Sequence, residues 1–369
     1  MQSRIRVLPL VLVSFLASGL SAARVGAQDG AAGLFRGGSA VAPAGFGVIA
    51  SEFTSPSEIE TSLPLLARYG VGFVLDWPSS EIASVERFAL VHKANDLGIE
   101  VRPWLLLPMD QGYWPNATNA RTYDRYARLL IDSWLAQGLS PATLVVDMEM
   151  PIDRTRQLAA LITAGDAVGA IRFLRAGIDR VQYAEATRVY RELVAYAHAR
   201  GFRVELSTLM QVLDDYLDGD DGLRQALNIP VAGIAWDVCT FQLYRTFNPA
   251  LIGTSVPPAT SYFVFDYALL ARTLFGARAG VAVGVTEPGD LAPDLPSYRS
   301  PRELRDDIDA ATLAGIARKN IAVYNLRGIT RRANSAEWFV PRSLIILPPL
   351  PDAATLLTRY GAVTLDLSL

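Results

Sequence analysis

Short apolar runs alternate with longer segments of helical periodicity along most of the chain. From residue 45 onward, glycine, proline or acidic residues bound the apolar runs, whereas the helical segments carry apolar residues at intervals of three and four. The runs predict strands at 45–52, 71–76, 99–106, 142–151, 202–209, 238–244, 280–287 and 320–325. A strand followed by a helix, repeated in this way, is typical of an α/β chain that closes into a (β/α)8 TIM barrel.

Helix signals support this order of elements. Ser55-Pro56-Ser57-Glu58 and Ser300-Pro301-Arg302-Glu303 each place serine before proline with an acid close behind, which is a helix-start signature. After the fourth strand the helical pattern runs from Asp153 to Arg200, with breaks near Gly165 and Gly177. One crossover helix needs fewer residues, so we predict a helical insertion after strand four. A doubly wound open sheet is the alternative, but no G-x-G-x-x-G follows a strand.

The N-terminus is typical of an export signal. Arg4 and Arg6 precede an apolar stretch at 7–20, and Val25-Gly26-Ala27 supplies a small-x-small cleavage site. A membrane anchor is the alternative, but the apolar stretch is too short to span a bilayer comfortably. We therefore predict a signal peptide at 1–27, a flexible lead-in at 28–44, a single catalytic domain at 45–369, and a secreted or periplasmic protein.

Composition and charge limit the classes of partner and cofactor that the sequence predicts. Hydrophobic residues make up 51% of the chain and charged residues 19%, and the net charge of -3 gives no reason to expect nucleic acid. Cys239 is the only cysteine, and the chain has two histidines, so a His/Cys zinc site is not expected. We expect no cofactor, no metal, no integral membrane segment in the mature protein, and a monomer.

Acidic residues stand at the ends of several predicted strands. Alternation along the fourth strand puts Val145, Asp147 and Glu149 on one face, with both acids at its carboxyl end. In a parallel barrel that end holds the active site. The other strand ends are Glu52, Asp76, Trp104, Thr208, Tyr244, Glu287 and Asn325. Below Glu287 the same alternation predicts that Val281, Val283 and Val285 face the interior.

Paired carboxylates with aromatic neighbours suit glycoside hydrolysis. One acid protonates the leaving oxygen, and the second either attacks the anomeric carbon or activates water. Trp77, Trp104, Trp114 and Tyr244 offer flat apolar faces to sugar rings. The expected partner is therefore a carbohydrate substrate, a polysaccharide or a cell-wall glycan.

The strand ends resemble those of (β/α)8 glycoside hydrolases of clan A, which carry an acid/base glutamate after strand four and a nucleophilic glutamate after strand seven. Glu149 in Asp-Met-Glu-Met-Pro matches the first position, and Glu287 in Val-Thr-Glu-Pro-Gly matches the second. Tyr244 lies where such enzymes often keep a tyrosine on strand six. The chain departs from the family at Met148, where the family has asparagine, and at Asn325, where it has tryptophan.

A second resemblance is to chitinase-like and lysozyme-like barrels with Asp-x-Glu on strand four. It implies that Glu149 is the general acid and that Asp147 assists it. Gln242-Leu243-Tyr244 is similar to the Met-x-Tyr segment of the chitinase sixth strand. Val145 stands where chitinases have a further aspartate, and Arg245 where they have an acid.

These observations together predict a secreted glycoside hydrolase with Glu149 as general acid, Asp147 as its modulator and Glu287 as nucleophile. The predicted substrate-binding residues are Tyr244, Gln242, Glu52, Asp76, Trp77, Arg102, Trp104 and Asn325. One alternative is a non-catalytic extracellular glycan-binding barrel. Another is a metal-dependent hydrolase that would bind Mg²⁺ or Ca²⁺ through the acids at the strand ends, Glu52, Asp76, Asp147, Glu149 and Glu287.

Overall fold

Eight parallel strands form a closed barrel in which each strand pairs with the next and the last pairs with the first. The structure is a computed structural model that describes residues 42–247, 259–287, 289–290, 296–342 and 348–366. The strands are β1 Val48–Ala50, β2 Gly72–Pro78, β3 Val101–Leu106, β4 Thr143–Met148, β5 Arg203–Leu209, β6 Val238–Leu243, β7 Ala279–Gly284 and β8 Ile321–Tyr324. The predicted TIM barrel is thus confirmed, and the open doubly wound sheet is excluded.

Helices surround this barrel in the order that the sequence predicts. They are α1 Pro56–Tyr69, α2 Val85–Asp96, α3 Ala120–Ala136, α4 Ile152–Thr163, α5 Ala167–Arg175, α6 Arg180–His198, α7 Gln211–Asp218, α8 Gly222–Ala226, α9 Ser261–Phe275, α10 Pro301–Leu313, α11 Arg327–Thr330 and α12 Ala353–Asp366. Ser55 caps α1 in a complete capping box with Glu58, as the sequence signature predicts.

The helical insertion after strand four is confirmed as α4 and α5, which precede α6. Gly165, with a φ of 71°, follows α4, and Asp166 caps α5 by accepting a hydrogen bond from the Gly169 N–H. Gly177 follows α5. The breaks that glycine predicts in this segment therefore divide one long helical pattern into three helices.

The large core lies between the outer face of the barrel and the helices. Trp77 belongs to it: the side chain is fully buried, its ring packs on Phe88 and Trp134, and its indole N–H donates to the Glu81 carbonyl. Trp77 sits beside Asp76 on β2, so alternation turns it away from the barrel interior. The structure therefore places this predicted sugar contact in the hydrophobic core instead of at the mouth.

The floor of the barrel interior is ionic. Arg102 binds Glu205 (2.7 Å) and Glu100 (2.8 Å), and Glu205 also accepts a hydrogen bond from Thr240. Arg102 further donates to the carbonyl of Lys319, which lies at the amino end of β8. Arg102 thus lies at the end opposite the mouth, where it forms ion pairs with two carboxylates, and the structure does not bring this predicted sugar contact to the site.

An apolar layer separates this floor from the mouth. It consists of Val48, Val74, Trp104, Leu106, Trp114, Val145 and Ile152. Trp104 is 5% exposed and lies level with Asp76 and Val145 in the strand registers. Its ring therefore supports the mouth from below.

The alternation on β7 is opposite to the predicted one. Val281 and Val283 pack in the outer core, whereas Gly280 and Gly284 face inward. A Cβ at Gly280 would lie 2.5 Å from the Thr240 hydroxyl, and one at Gly284 would lie 3.2 Å from the Tyr244 ring. Because large interior side chains on β6 fill this side of the barrel, β7 contributes small residues there, and its valines pack outward.

Residues 1–41 lie outside the described ranges, and with them the predicted signal peptide and most of the lead-in. Both remain predictions. None of the helices in the described ranges combines the length and the apolar content that a bilayer crossing requires.

Candidate active site

Asp147 and Glu149 are bridged by one amide group. The Gln242 Nε2 donates to Asp147 Oδ1 (2.9 Å) and to Glu149 Oε1 (2.7 Å). Asp147 is 4% exposed, whereas Glu149 is half-buried and remains reachable from the mouth. The structure thus brings together the acid pair and the glutamine that the sequence predicts.

The local fold explains this arrangement. Asp147 is aligned with Ser207 in the pairing of β4 with β5, and the Ser207 hydroxyl donates to Asp147 Oδ1 (2.7 Å). Glu149 follows the end of β4, where its own N–H donates to the Pro115 carbonyl, and Pro151 then leads into α4. The strand therefore ends with one acid inside the barrel and the next one at its rim.

Burial and mutual repulsion disfavour ionisation of this pair. Burial raises the pKa of Asp147 to about 6, opposed by the hydrogen bonds from Ser207 and Gln242. Burial also raises the pKa of Glu149 well above its usual range, and the charges on Asp147 and Glu52 raise it further. An ionised aspartate beside a protonated glutamic acid is the arrangement that general acid catalysis requires.

Glu52 joins this group from the end of β1. The phenol of Tyr113 donates to its Oε1 and that of Tyr324 to its Oε2, both at 2.6 Å. Burial raises the pKa of Glu52 to about 7 despite these two donors. Among the described residues, the side chains that donate hydrogen bonds to Glu52, Asp147 and Glu149 are uncharged, and no compensating cation is found among them.

Asp76, at the end of β2, is held differently. Its Oδ1 accepts a hydrogen bond from Ser51 (3.3 Å), and Arg87 approaches its Oδ2 to 3.9 Å. Burial raises the pKa of Asp76 to about 6, while the Arg87 charge lowers it. Glu52 and Asp76 line a cleft of about 270 Å³ together with Tyr113 and Leu106.

Tyr244 completes the mouth above β6. Its ring lies 5.6 Å from that of Tyr324, and burial together with the charges on Asp147, Glu149 and Glu52 raises the pKa of its phenol. The predicted residues that the structure brings together are therefore Glu52, Asp76, Asp147, Glu149, Gln242 and Tyr244, with Trp104 beneath them.

Glu287 and Asn325 make their contacts elsewhere. Glu287 Oε1 binds Arg327 Nη2 (2.9 Å), and the same nitrogen binds Asp290 (2.8 Å). Asn325 is fully buried, accepts a hydrogen bond from the Gly328 N–H and donates to the Glu287 carbonyl. The contacts of Glu287 are thus with the β8 loop instead of the acid pair, and Asn325 braces that loop.

Tyr113, Tyr324 and Ser207 belong to this site but were not predicted. Tyr324 lies two residues after Ala322 on the inner face of β8, so the correct alternation selects it over Asn325. On β5 the predicted strand end is Thr208, but the correct alternation places its neighbour Ser207 on the inner face, where it contacts Asp147. Tyr113 lies in an irregular loop after β3, and its position follows from tertiary packing that sequence alternation does not encode.

The described residues contain no group of three or more acidic, histidine or cysteine side chains with the geometry of a metal site. Cys239 is buried, and burial raises the pKa of its thiol to about 12. These side chains therefore give no support to the metal-dependent alternative, and the buried thiol is a poor nucleophile.

Comparisons with known proteins assign neither a family nor a reaction to this chain. The chain matches no protein-family model and no curated protein. Similar solved structures include the exo-beta-1,4-mannosidase Op5Man5 from Opitutaceae bacterium strain TAV5, at 15% identity and a TM-score of 0.47, covering 86% of this chain and 60% of that one. The PgaB (BpsB) glycoside hydrolase domain from Bordetella bronchiseptica has 12% identity and a TM-score of 0.46, covering 81% and 99%.

A D-allulose 3-epimerase from Methylomonas sp. is similar to the same degree, with 12% identity, a TM-score of 0.44, and coverage of 89% of this chain and all of that one. The similar structures thus include a mannosidase, a glycoside hydrolase domain and an epimerase, and none of these likenesses carries an argument about the reaction. The class that the fold and site define is a (β/α)8 barrel with an acidic mouth, and the reaction has to be argued from the side chains.

The raised pKa of Glu52 predicts a pH-dependent stability. Between about pH 4.5 and 7 the folded protein binds a proton at Glu52 more tightly than the unfolded chain does, so the free energy of unfolding falls as the pH rises. Glu52→Gln removes this contribution, which is at most about 3 kcal/mol. Urea unfolding at pH 5 and pH 8 should show a smaller loss of stability in Glu52→Gln than in the wild type.

The matched control is Glu60→Gln, because Glu60 is exposed and pairs with Lys93 on the surface. It should leave the pH dependence unchanged. Equal losses of stability in the wild type and Glu52→Gln would show that Glu52 does not carry this pKa shift.

Proposed function

We propose that this protein is a glycoside hydrolase that cleaves O-glycosidic bonds of a polysaccharide or cell-wall glycan. The observation that carries the proposal is the pair of carboxyls on β4, Asp147 and Glu149, which share the Gln242 amide at the open end of the barrel. Two carboxyls whose environments separate their pKa values provide an acid and its modulator.

In this proposal Glu149 is the general acid. Its half-buried carboxyl protonates the leaving oxygen as the glycosidic bond breaks. Asp147 stays ionised, held by Ser207 and Gln242, and its charge keeps the proton on Glu149 until the substrate takes it. The aromatic side chain of Tyr244 provides a face for a sugar ring beside the acid pair.

The identity of the second carboxylate separates the two resemblances. In the clan A arrangement it is Glu287, whose carboxylate binds Arg327 in the β8 loop. In the chitinase-like arrangement Asp147 and Glu149 suffice. The hydrogen bonds around Gln242 favour the version in which Glu287 is not the nucleophile. The kcat/KM of Glu287→Gln measures how much Glu287 contributes to the reaction.

The central test is Glu149→Gln on a panel of soluble β-glucan, mannan, chitin oligosaccharides, chitosan and peptidoglycan. We expect the wild type to release reducing ends from at least one of them and Glu149→Gln to lose about 10²- to 10⁴-fold in kcat/KM, the usual contribution of general acid catalysis. The control Glu60→Gln should keep the wild-type rate.

A glycan that binds the wild type but is not cleaved would favour the alternative of a non-catalytic glycan-binding barrel. Hydrolysis by Glu149→Gln at the wild-type rate would remove Glu149 from the mechanism.

Gln242→Met tests how the acid is tuned. The Gln242 amide donates to the ionised form of Glu149, so its removal raises the pKa of that acid. Because the reaction needs Glu149 protonated, the alkaline limb of the kcat/KM profile should move upward. One hydrogen bond to a charged group is worth about 1.5 kcal/mol, which corresponds to a shift of about one pH unit. An unmoved or lowered alkaline limb would contradict this assignment.

A further inference from the structure

Glu52 is oriented more completely than any other carboxyl at the mouth. Each of its two oxygens accepts one tyrosine hydroxyl, from Tyr113 in the loop after β3 and from Tyr324 at the end of β8. Tyr324 belongs to β8, the neighbour of β1 on one side. Tyr113 follows β3, which lies beyond β2 on the other side. Two short hydrogen bonds from opposite sides fix the plane of the carboxyl.

The backbone around Glu52 is equally constrained. Phe53 and Tyr113 have positive φ angles of 62° and 63°, a region that side chains other than glycine rarely adopt. The Phe53 carbonyl accepts a hydrogen bond from Arg327, and its ring packs so closely on Gly289 that a Cβ there would lie 2.5 Å away. Contacts from the β7 and β8 loops thus hold Phe53, the residue after Glu52, in a costly backbone conformation, as is common at active sites.

Glu52 and Glu149 lie on separate sides of the mouth. Two strands, β2 and β3, stand between β1 and β4, and the cleft of about 270 Å³ opens against Glu52 and Tyr113 on the β1–β3 side. The charge on Glu52 nevertheless raises the pKa of Glu149, so the two carboxyls interact across this space. Carboxyls on strands that are not adjacent are consistent with an inverting pair, which needs room for a water molecule beside the sugar.

The other carboxyls fit the second role less well. Asp147 shares the Gln242 amide with Glu149 and lies on the same strand, which suits the role of a modulator of that acid. Asp76 lies beside the Arg87 cation, which weakens it as a base, and Glu287 is held by Arg327. Glu52 has two oriented donors, no cation among the described residues that contact it, and an open cleft beside it.

We propose that Glu52 is the second catalytic carboxylate, the base that activates water across the mouth from Glu149; this inference rests on the proposed glycoside hydrolase function. The water oxygen bonds to the anomeric carbon while its proton passes to Glu52. The bond from that carbon to the leaving oxygen breaks with its electron pair on the oxygen, which takes the proton of Glu149. The product has inverted anomeric configuration.

The test uses the full chain and whichever glycan of the panel the wild type cleaves. Glu52→Gln should lower kcat/KM by about 10²- to 10⁴-fold, as expected for loss of a general base. Asp76→Asn, which alters the other carboxyl of the same cleft, should cost less. Urea unfolding at pH 8 checks that Glu52→Gln is folded, since removing this buried charge should not destabilise it.

Two further readouts separate catalysis from a structural role. Sodium azide, which attacks without a base, should restore turnover to Glu52→Ala and give a glycosyl azide of inverted configuration. NMR of the wild-type reaction should show the inverted anomer first. A retained anomer, or Glu52→Gln at the wild-type rate on a cleaved glycan, would overturn the role of Glu52 while leaving the hydrolase function intact. No cleavage of any glycan by the wild type would overturn both.

Discussion

The burial of several carboxyls at one end of a closed barrel is the constraint on which the site depends. Barrel closure fixes the ends of β1, β2 and β4 around one opening, so Glu52, Asp76, Asp147 and Glu149 share a small volume. The apolar layer around Trp104 keeps water out from below, and Arg102 at the floor is already paired with Glu205 and Glu100. Each acid therefore loses hydration without gaining a cation, apart from Asp76 with its distant Arg87.

Hydrogen bonds from uncharged donors reduce the free-energy cost of burying these carboxyls. Ser207 and Gln242 serve the acids on β4, while Tyr113 and Tyr324 serve Glu52. These groups stabilise the ionised forms without cancelling their charge, so the pKa values of the carboxyls stay raised. A barrel selected for stability alone would gain by replacing such acids with apolar residues, and this cost is the main physical reason to regard the mouth as a functional site.

The fold was predictable because its signals are local and repeated. Alternating periodicity and helix caps located all eight strands, and the glycines at 165 and 177 correctly divided the insertion. The apolar runs that predict the strands also carry Asp147, Glu149, Gln242 and Glu52, which the structure brings together at the mouth of the barrel.

The errors have one main physical cause: sequence alternation does not say which face of a strand is the inner one when both are apolar. On β7 the valines suggested the interior, but the space beside Thr240 and Tyr244 admits only small residues. Because of the same ambiguity, the sequence predicts Asn325 instead of Tyr324 at the mouth, and it predicts Trp77 as a sugar contact although Trp77 lies in the core. Arg102 faces inward as expected, but near the amino end of β3, and strand alternation alone does not show that Glu205 would meet it there.

Protonation of Glu149 near neutral pH is the central claim, and difference infrared spectroscopy of the wild type against Glu149→Gln at pH 6.5 tests it most directly. Burial and the neighbouring charges on Asp147 and Glu52 predict that the wild type shows the carbonyl stretch of a protonated carboxylic acid that Glu149→Gln lacks. If the difference spectrum instead shows only the loss of an ionised carboxylate, Glu149 is not held protonated and cannot be the general acid.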